Sequence, residues 1–245
     1  VSTVLADLLQ LLDLERLEIN LFRGASRDIG SPQVFGGQVL GQALMAASRT
    51  VEPDRAVHSL HSYFLRRGDF DAPIVYEVDR SRDGASFTNR RVVAIQHGQQ
   101  IFHLSASFQR EEQGPDHQVS APAVTPPENL PDLTSMVRQR LPEMPEQMQR
   151  FWERDRPFEF RSVEPVQDGT PRPGVRHLWF RLAGQCPADA VYAEGVQGIV
   201  IAELRLQPRN GKKRDNACCQ PYNYRAGYIH EPGCGGDRNQ SAYGT

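Results

Sequence analysis

The sequence predicts an α+β fold in which an antiparallel sheet curls around one long helix. Three observations predict it. The stretch Phe35-Gly36-Gly37-Gln38-Val39-Leu40-Gly41-Gln42-Ala43-Leu44-Met45-Ala46-Ala47 reads as an apolar helix opened by glycines. Four strand-like segments follow it at regular spacing, the last ending in Ala106-Ser107-Phe108-Gln109. A single buried helix followed by long antiparallel strands lets a sheet bury its apolar face on that helix.

In chain order, residues 2–17 read as an amphipathic helix. Ser2 or Thr3 caps it, and Val4, Leu5, Leu8, Leu9, Leu11, Leu12 and Leu14 supply the apolar stripe. Residues 20–24 read as a short strand entering a polar loop through Pro32. In the glycine-opened helix, Gly41, Ala43, Ala46 and Ala47 are small enough for a sheet to close tightly around it. The strands are expected at Val57 to Leu65, Ile74 to Arg80, Ser86 to Gln96 and Gln100 to Phe108. Arg82-Asp83-Gly84 and His97-Gly98 supply turns between them. A proline-rich, polar stretch over residues 111–133 has the composition of a linker. Beyond it come a helix from Leu133 to Trp152, interrupted at Pro145, and strands at Phe158 to Val163 and His177 to Leu182. Gly198 to Leu204 has strand character, but periodicity is weak throughout Asn210 to Thr245. The expected organisation is a first domain over 1–110, a linker over 111–133, and a partial second domain over 134–245 with an aberrant tail from about 191.

Composition narrows the function classes. A length of 245 residues, 39% of them hydrophobic, allows one large domain or two of ordinary size. Net charge is −2, so no basic field points to nucleic acid. Mean hydropathy of −0.53 and the lack of a long apolar run leave no membrane span, and no secretory leader is seen. Cys186, Cys218, Cys219 and Cys234 lack a second ligand pair at zinc spacing, so no metal is expected, and free thiols fit a reducing compartment.

The first three quarters of the chain resemble one family densely and in order. Phe22-Arg23-Gly24, Val34-Phe35-Gly36-Gly37-Gln38-Val39, Val57-His58-Ser59 and Ser62-Tyr63-Phe64-Leu65 match its pattern. So do Arg82-Asp83-Gly84, Ser86-Phe87, Arg90-Arg91-Val92, Ala106-Ser107-Phe108-Gln109, Arg156-Pro157, Val163-Glu164-Pro165 and Trp179. On these residues, running to about Pro187, the chain is similar to the acyl-CoA thioesterase II family. The resemblance implies a hotdog fold, with an intact first hotdog and an incomplete second. It also implies hydrolysis of fatty acyl-CoA to free fatty acid and coenzyme A, by water, with no covalent intermediate, no metal and no other cofactor. Homo-oligomers of double-hotdog chains are implied as well.

The family's catalytic trio is an Asp, a hydroxyl residue and a Gln, all from the second hotdog, in motifs like Tyr-Ala-Ser-Asp, Asp-His-Ser-Met-Trp-Phe-His and Gln-Glu-Gly. None occurs in this sequence. Gln197 to Glu203 stands where the Asp motif is expected, and Glu203 lies outside that motif. Catalytic residues are therefore left unassigned. A reading-frame shift near residues 190 to 200 is one expectation, and a non-catalytic module that binds acyl-CoA or a partner is another. A hotdog dehydratase needs an acid/base motif on its helix, and Val39 to Ser48 holds no His, Asp or Glu.

Hydrolysis of a thioester needs an activated water and donors aimed at the oxyanion that develops on the carbonyl. Gly36, Gly37 and Gln38 stand where a helix N-terminus offers backbone N–H groups, although glycines there also serve simple helix–sheet packing. His58 matches a family position and is a cleft candidate, with a hydrogen-bonded structural role as the plainer reading. His61, three residues on, faces the other side of a strand. Arg66, Arg67, Arg90 and Arg91 are candidates for the phosphates of coenzyme A, at most one of each adjacent pair facing a given surface. The terminal Tyr243-Gly244-Thr245 is not a Ser-Lys-Leu-type peroxisomal address, so the cytoplasm is the expected location.

Overall fold

The computed structural model describes residues 3–28, 33–114, 122–164 and 177–184, together with 224–225, 227–228 and 243–244. The expected strand over 198–204 and all four cysteines lie outside these residues. The described chain divides into two compact units, one within residues 3–114 and the other beginning after them.

The first unit opens with helix α1 (Thr3–Leu12), which buries Leu5, Leu8 and Leu12, spaced to share one face. The sequence predicts that this helix runs to residue 17, but it stops five residues earlier. Glu15–Glu18 instead forms strand β1, antiparallel to β2 (Leu21–Gly24), with an Arg23–Glu15 ion pair across the ladder. Arg49 holds the corner between α1 and β1, donating to the Leu14 carbonyl at 2.5 Å and to Asp13 at 2.6 Å. A tertiary partner for the backbone outweighs local helix propensity here.

Helix α2 (Gly36–Ser48) is buried from Gly37 through Ser48. The sheet encloses it with β3 (Arg55–Phe64), β4 (Ile74–Asp83), β5 (Phe87–Gln96) and β6 (Gln99–Arg110), in the antiparallel order β1-β2-β4-β5-β6-β3. Alternation puts Ile74, Tyr76 and Val78 inward from β4, Val92 and Ala94 from β5, and Phe102, Leu104, Ala106 and Phe108 from β6. His97 at φ 51° and Gly98 at φ 71° form the two-residue turn joining β5 to β6, the left-handed pair that a tight hairpin requires. Strand β4 continues through Arg82 and Asp83, which the sequence predicts as turn. The reversal lies at Gly84, whose N–H donates to the Phe87 carbonyl at 2.9 Å.

The second unit begins within the proline-rich stretch. Arg161 donates to the carbonyls of Pro127 and Leu130 at 2.7 and 3.0 Å, and Trp179 Nε1 donates to that of Thr125 at 2.9 Å. Residues 125–130 are therefore fastened to strands β7 (Phe158–Ser162) and β8 (Leu178–Leu182), which pair antiparallel. The single helix expected over 133–152 is two, α3 (Leu133–Arg138), capped by Asp132, and α4 (Glu146–Glu153). Pro142 and Pro145 lie between them, and neither can continue a helix interior. Leu133 and Val137 from α3 are buried together with Phe158, Phe160 and Phe180. Two-residue strands β9 (Tyr224–Arg225), β10 (Gly227–Tyr228) and β11 (Tyr243–Gly244) complete the described elements, β10 pairing parallel with β8 and β11 antiparallel with β9.

Candidate functional site

The N-terminus of α2 is the chemically prepared place in the first unit. Phe35, in extended conformation, precedes the helix, and its carbonyl takes the N–H groups of Gln38 (3.1 Å) and Val39 (3.4 Å). Gly36 and Gly37 hold the first helical positions, whose N–H groups have no carbonyl a turn earlier to reach. These two donors, at the positive end of the helix dipole, can receive an anion or a developing oxyanion.

The side face of Gly36 is used. A Cβ added at Gly36 would lie 3.0 Å from the Phe64 ring, which is itself 51% exposed and tilted against buried Phe102. On the next turn of chain, Val34 donates its N–H to the Gly68 carbonyl at 3.3 Å, so the segment after β3 runs beside the helix entrance. The entrance is thus bordered by Phe64 and by the stretch ending at Gly68.

Gln38 is at the entrance, but its side chain turns inward. Its Oε1 accepts from the Arg27 N–H and its Nε2 donates to the Ala25 carbonyl, both at 3.2 Å, and the residue is 2% exposed. One turn on, Gln42 is wholly buried. Its Nε2 donates to the carbonyls of Leu11 (2.7 Å) and Ala25 (2.9 Å), and its Oε1 accepts from the Tyr76 hydroxyl at 2.7 Å. Burial pushes the Tyr76 phenol well above its ordinary value of 10.0. A Cβ on Gly24 would meet the Gln42 amide at 2.7 Å, so only glycine fits there with Gln42 in place. Neither Gln42 nor Tyr76 stands out in the sequence. The available signal was a pair of glutamines four apart in a helix otherwise apolar all round.

His58 is elsewhere. It occupies a bulge in β3, between the Val57–Phe108 and Ser59–Ser107 pairs, and its Nε2 lies 2.9 Å from Ser107 Oγ. Ser107 alternates with inward Ala106 and Phe108, so this contact is on the outer face of the sheet, where Phe87 packs edge-on to the imidazole. From His58 to Phe64, beside Gly36, is six residues of strand, about 20 Å. The structure therefore brings Gly36, Gly37 and Gln38 together and leaves His58 apart from them.

The four arginines also separate. Arg90 is buried, donating to Thr50, to the carbonyls of Arg82 and Asn89, and to Asp83. Arg66 donates to the Gln100 carbonyl at 2.6 Å, while Arg67 and Arg91 are exposed. Among the described residues no group of three or more His, Cys, Asp or Glu side chains could hold a metal, and no helix is long and apolar enough to cross a membrane.

Comparison with known proteins agrees with this frame. The family model for the acyl-CoA thioesterase N-terminal domain matches residues 24–109. Acyl-CoA thioesterase 2 of Haemophilus influenzae is 41% identical over 190 residues, which is 77% of this chain and 66% of that protein. Human acyl-coenzyme A thioesterase 8 is 43% identical over 63% of this chain and 50% of its own length. Among solved structures, acyl-CoA thioesterase II TesB2 from Mycobacterium marinum matches at TM-score 0.61 and 38% identity, covering 80% of this chain and 66% of its own. The tesB protein of Mycobacterium avium subsp. paratuberculosis matches at TM-score 0.63 and 30% identity, covering 81% and 69% respectively. This chain spans between half and two thirds of the length of those two curated relatives. On the sequence match, the enclosed helix and the structural likeness together, the chain belongs to the acyl-CoA thioesterase II family.

Proposed function

We propose that this chain acts on fatty acyl-CoA thioesters, binding the thioester at the entrance of α2 and serving its hydrolysis to free acid and coenzyme A. The observation that carries the reading is the pair of first-turn N–H groups at Gly36 and Gly37, in a domain that the thioesterase family model matches. A thioester carbonyl placed there gains charge on oxygen as water attacks its carbon, and preformed donors stabilise that charge without reorganising. The carbon–sulfur bond then breaks, and a proton passes from the attacking water to the coenzyme A thiolate. Exposed Phe64 and Leu65 beside the entrance suit the apolar part of the substrate.

A second reading rests on the sequence itself, in which none of the family's Asp, hydroxyl and Gln motifs occurs. Under it, the chain binds acyl-CoA without turning it over, and its second unit is a partial second hotdog. One experiment separates the two. The purified chain is incubated with decanoyl-CoA and palmitoyl-CoA while free thiol is followed with a chromogenic disulfide. Thiol release above buffer supports hydrolysis. Binding of a thioether analogue without release supports the binding module, and neither binding nor release removes both.

The same reading places the protein in the cytoplasm, in fatty acid metabolism, as a homo-oligomer. The contrast between sheet edges supports assembly: β1 is four residues long and carries Glu15, Arg16 and Glu18, whereas β3 is ten long with no Lys, Arg, Asp or Glu from Ala56 to Phe64. Sedimentation of the purified chain as a monomer at micromolar concentration would remove the oligomer from this proposal.

A further inference from the structure

We infer that Gln38, supported by the Gln42–Tyr76 pair behind it, is a positioning residue that sets the shape of the α2 entrance rather than a group that touches substrate. This inference rests on the thioester reading above, and it names how that site is held open.

The argument begins with saturation. The Gln38 amide spends its donor on the Ala25 carbonyl and its acceptor on the Arg27 N–H. Both contacts reach back across the helix's first turn to the segment leaving β2. In an ordinary capped helix, a glutamine at this third position turns toward its own N-terminus and satisfies the backbone there. Here it is diverted onto the Ala25 to Arg27 segment, beside the first-turn donors at Gly36 and Gly37.

Gln42 repeats the contact one turn deeper. Its amide grips the same Ala25 carbonyl, adds the Leu11 carbonyl at the end of α1, and is oriented by the Tyr76 hydroxyl from β4. The phenol can donate one hydrogen to Gln42 Oε1, which forces Nε2 toward the two carbonyls. Gly24 provides the space that this amide fills. Tyr76, Gln42 and Gln38 thus form a polar ladder, buried in an apolar core, that fixes Ala25 to Arg27 against the first two turns of α2. Such a network specifies one arrangement because every alternative leaves a buried amide unpaired. Ala25 to Arg27 becomes one wall of the entrance, which Phe64 also borders.

The test uses the full chain and three variants. Gln38→Leu keeps bulk and removes both hydrogen bonds. Val78→Ala, on the same strand as Tyr76, loosens the core without touching the ladder. Gln38→Glu reproduces the amide's donor and acceptor only while its carboxyl is protonated. Two quantities are read: backbone hydrogen exchange at Arg27, and the Kd of a thioether analogue of decanoyl-CoA by calorimetry. Gln38→Leu should speed Arg27 exchange and raise Kd, each at least tenfold, while melting close to the unaltered chain. Val78→Ala should melt earlier and change neither. Gln38→Glu should recover tight binding as pH falls and lose it as pH rises, a profile that loosened packing alone does not give.

Arg27 exchange and Kd unchanged in Gln38→Leu would overturn the inference, as would equal losses in Val78→Ala. Should Gln38→Leu fail to fold, Tyr76→Phe carries the same readouts, because it removes one hydroxyl and keeps the ring. If the unaltered chain binds no analogue, the thioester reading fails, and the exchange data alone decide whether the ladder holds the segment.

Discussion

Replacing Arg90 with Met tests how the far end of α2 is held. Arg90 enters the core from β5 with its side chain 1% exposed, and it donates to Thr50 Oγ1 and to the Thr50 carbonyl, both at 2.9 Å. Thr50 lies just past the C-terminus of α2, where helix carbonyls lack intrahelical donors and a cation is favoured. Methionine fills comparable volume but donates nothing, so the buried Thr50 carbonyl loses its partner, and the Arg82 and Asn89 carbonyls each lose one donor. One orphaned buried acceptor costs about 1–3 kcal/mol. With partial relief at the other two, the expected loss is about 3 kcal/mol, a large share of the roughly 5–15 kcal/mol that holds a domain together. Asp83 is the internal control. It pairs with Arg90 at 2.6 Å but is 57% exposed, and an exposed partner contributes about 1 kcal/mol or less. Urea unfolding followed by circular dichroism measures both variants. Arg90→Met within 1 kcal/mol of the unaltered chain would refute the reasoning, as would Asp83→Asn costing more than Arg90→Met.

Three further outcomes follow from the same geometry. Gly24→Ala places a methyl 2.7 Å from the buried Gln42 amide and must break part of its three-bond set, so a loss of about 2–4 kcal/mol is expected by urea titration; a neutral result would mean the amide has room to move. The folded state holds the Tyr76 proton above the ordinary 10.0, whereas the unfolded chain releases it there. Stability from this group is therefore complete below pH 10 and falls as pH rises beyond it; Tyr76→Phe should flatten that alkaline decline in melting temperature. At Glu164, burial works to raise the pKa, but hydrogen bonds from the His177 side chain and backbone outweigh it and the carboxyl ends below its ordinary 4.5. Stability from Glu164 is thus present above pH 4.5 and lost as pH falls through the lowered value, and Glu164→Gln should shrink the acid-side slope of unfolding.

Much of the first unit was legible because β5 and β6 alternate clearly and its helix is built largely of small and apolar residues. His97-Gly98 announces its hairpin, since both positions need positive φ. The errors came where a distant partner outbid local preference. Leucine spacing extends α1 to residue 17, yet β2 captures Glu15–Glu18. Arg82-Asp83-Gly84 reads as a turn, yet β5 keeps the first two residues in the ladder. At the candidate site, the glycines of α2 were visible and the use of Gln38 was not. Its partners are the backbone atoms of Ala25 and Arg27, which leave no signature in side-chain identity. Adjacent Arg90 and Arg91 are equivalent as letters, and only strand parity sends one inward and the other to solvent.

The enclosure of α2 on every side also has a meaning in time. The helix leaves the ribosome before β4, β5 and β6, the strands that form most of its surroundings. Synthesis proceeds at about 5–20 residues per second, so roughly 3–12 s separate the emergence of Ser48 from that of Arg110. Through that interval the segment from Gly37 to Ser48, buried throughout in the finished fold, has no sheet to enter. The same packing that shelters the helix in the mature protein makes the nascent chain a client for chaperones that bind apolar segments. Ribosome-bound chains halted with Ser48 just clear of the exit tunnel should carry such a chaperone, and chains with Arg110 well clear of it should have released it.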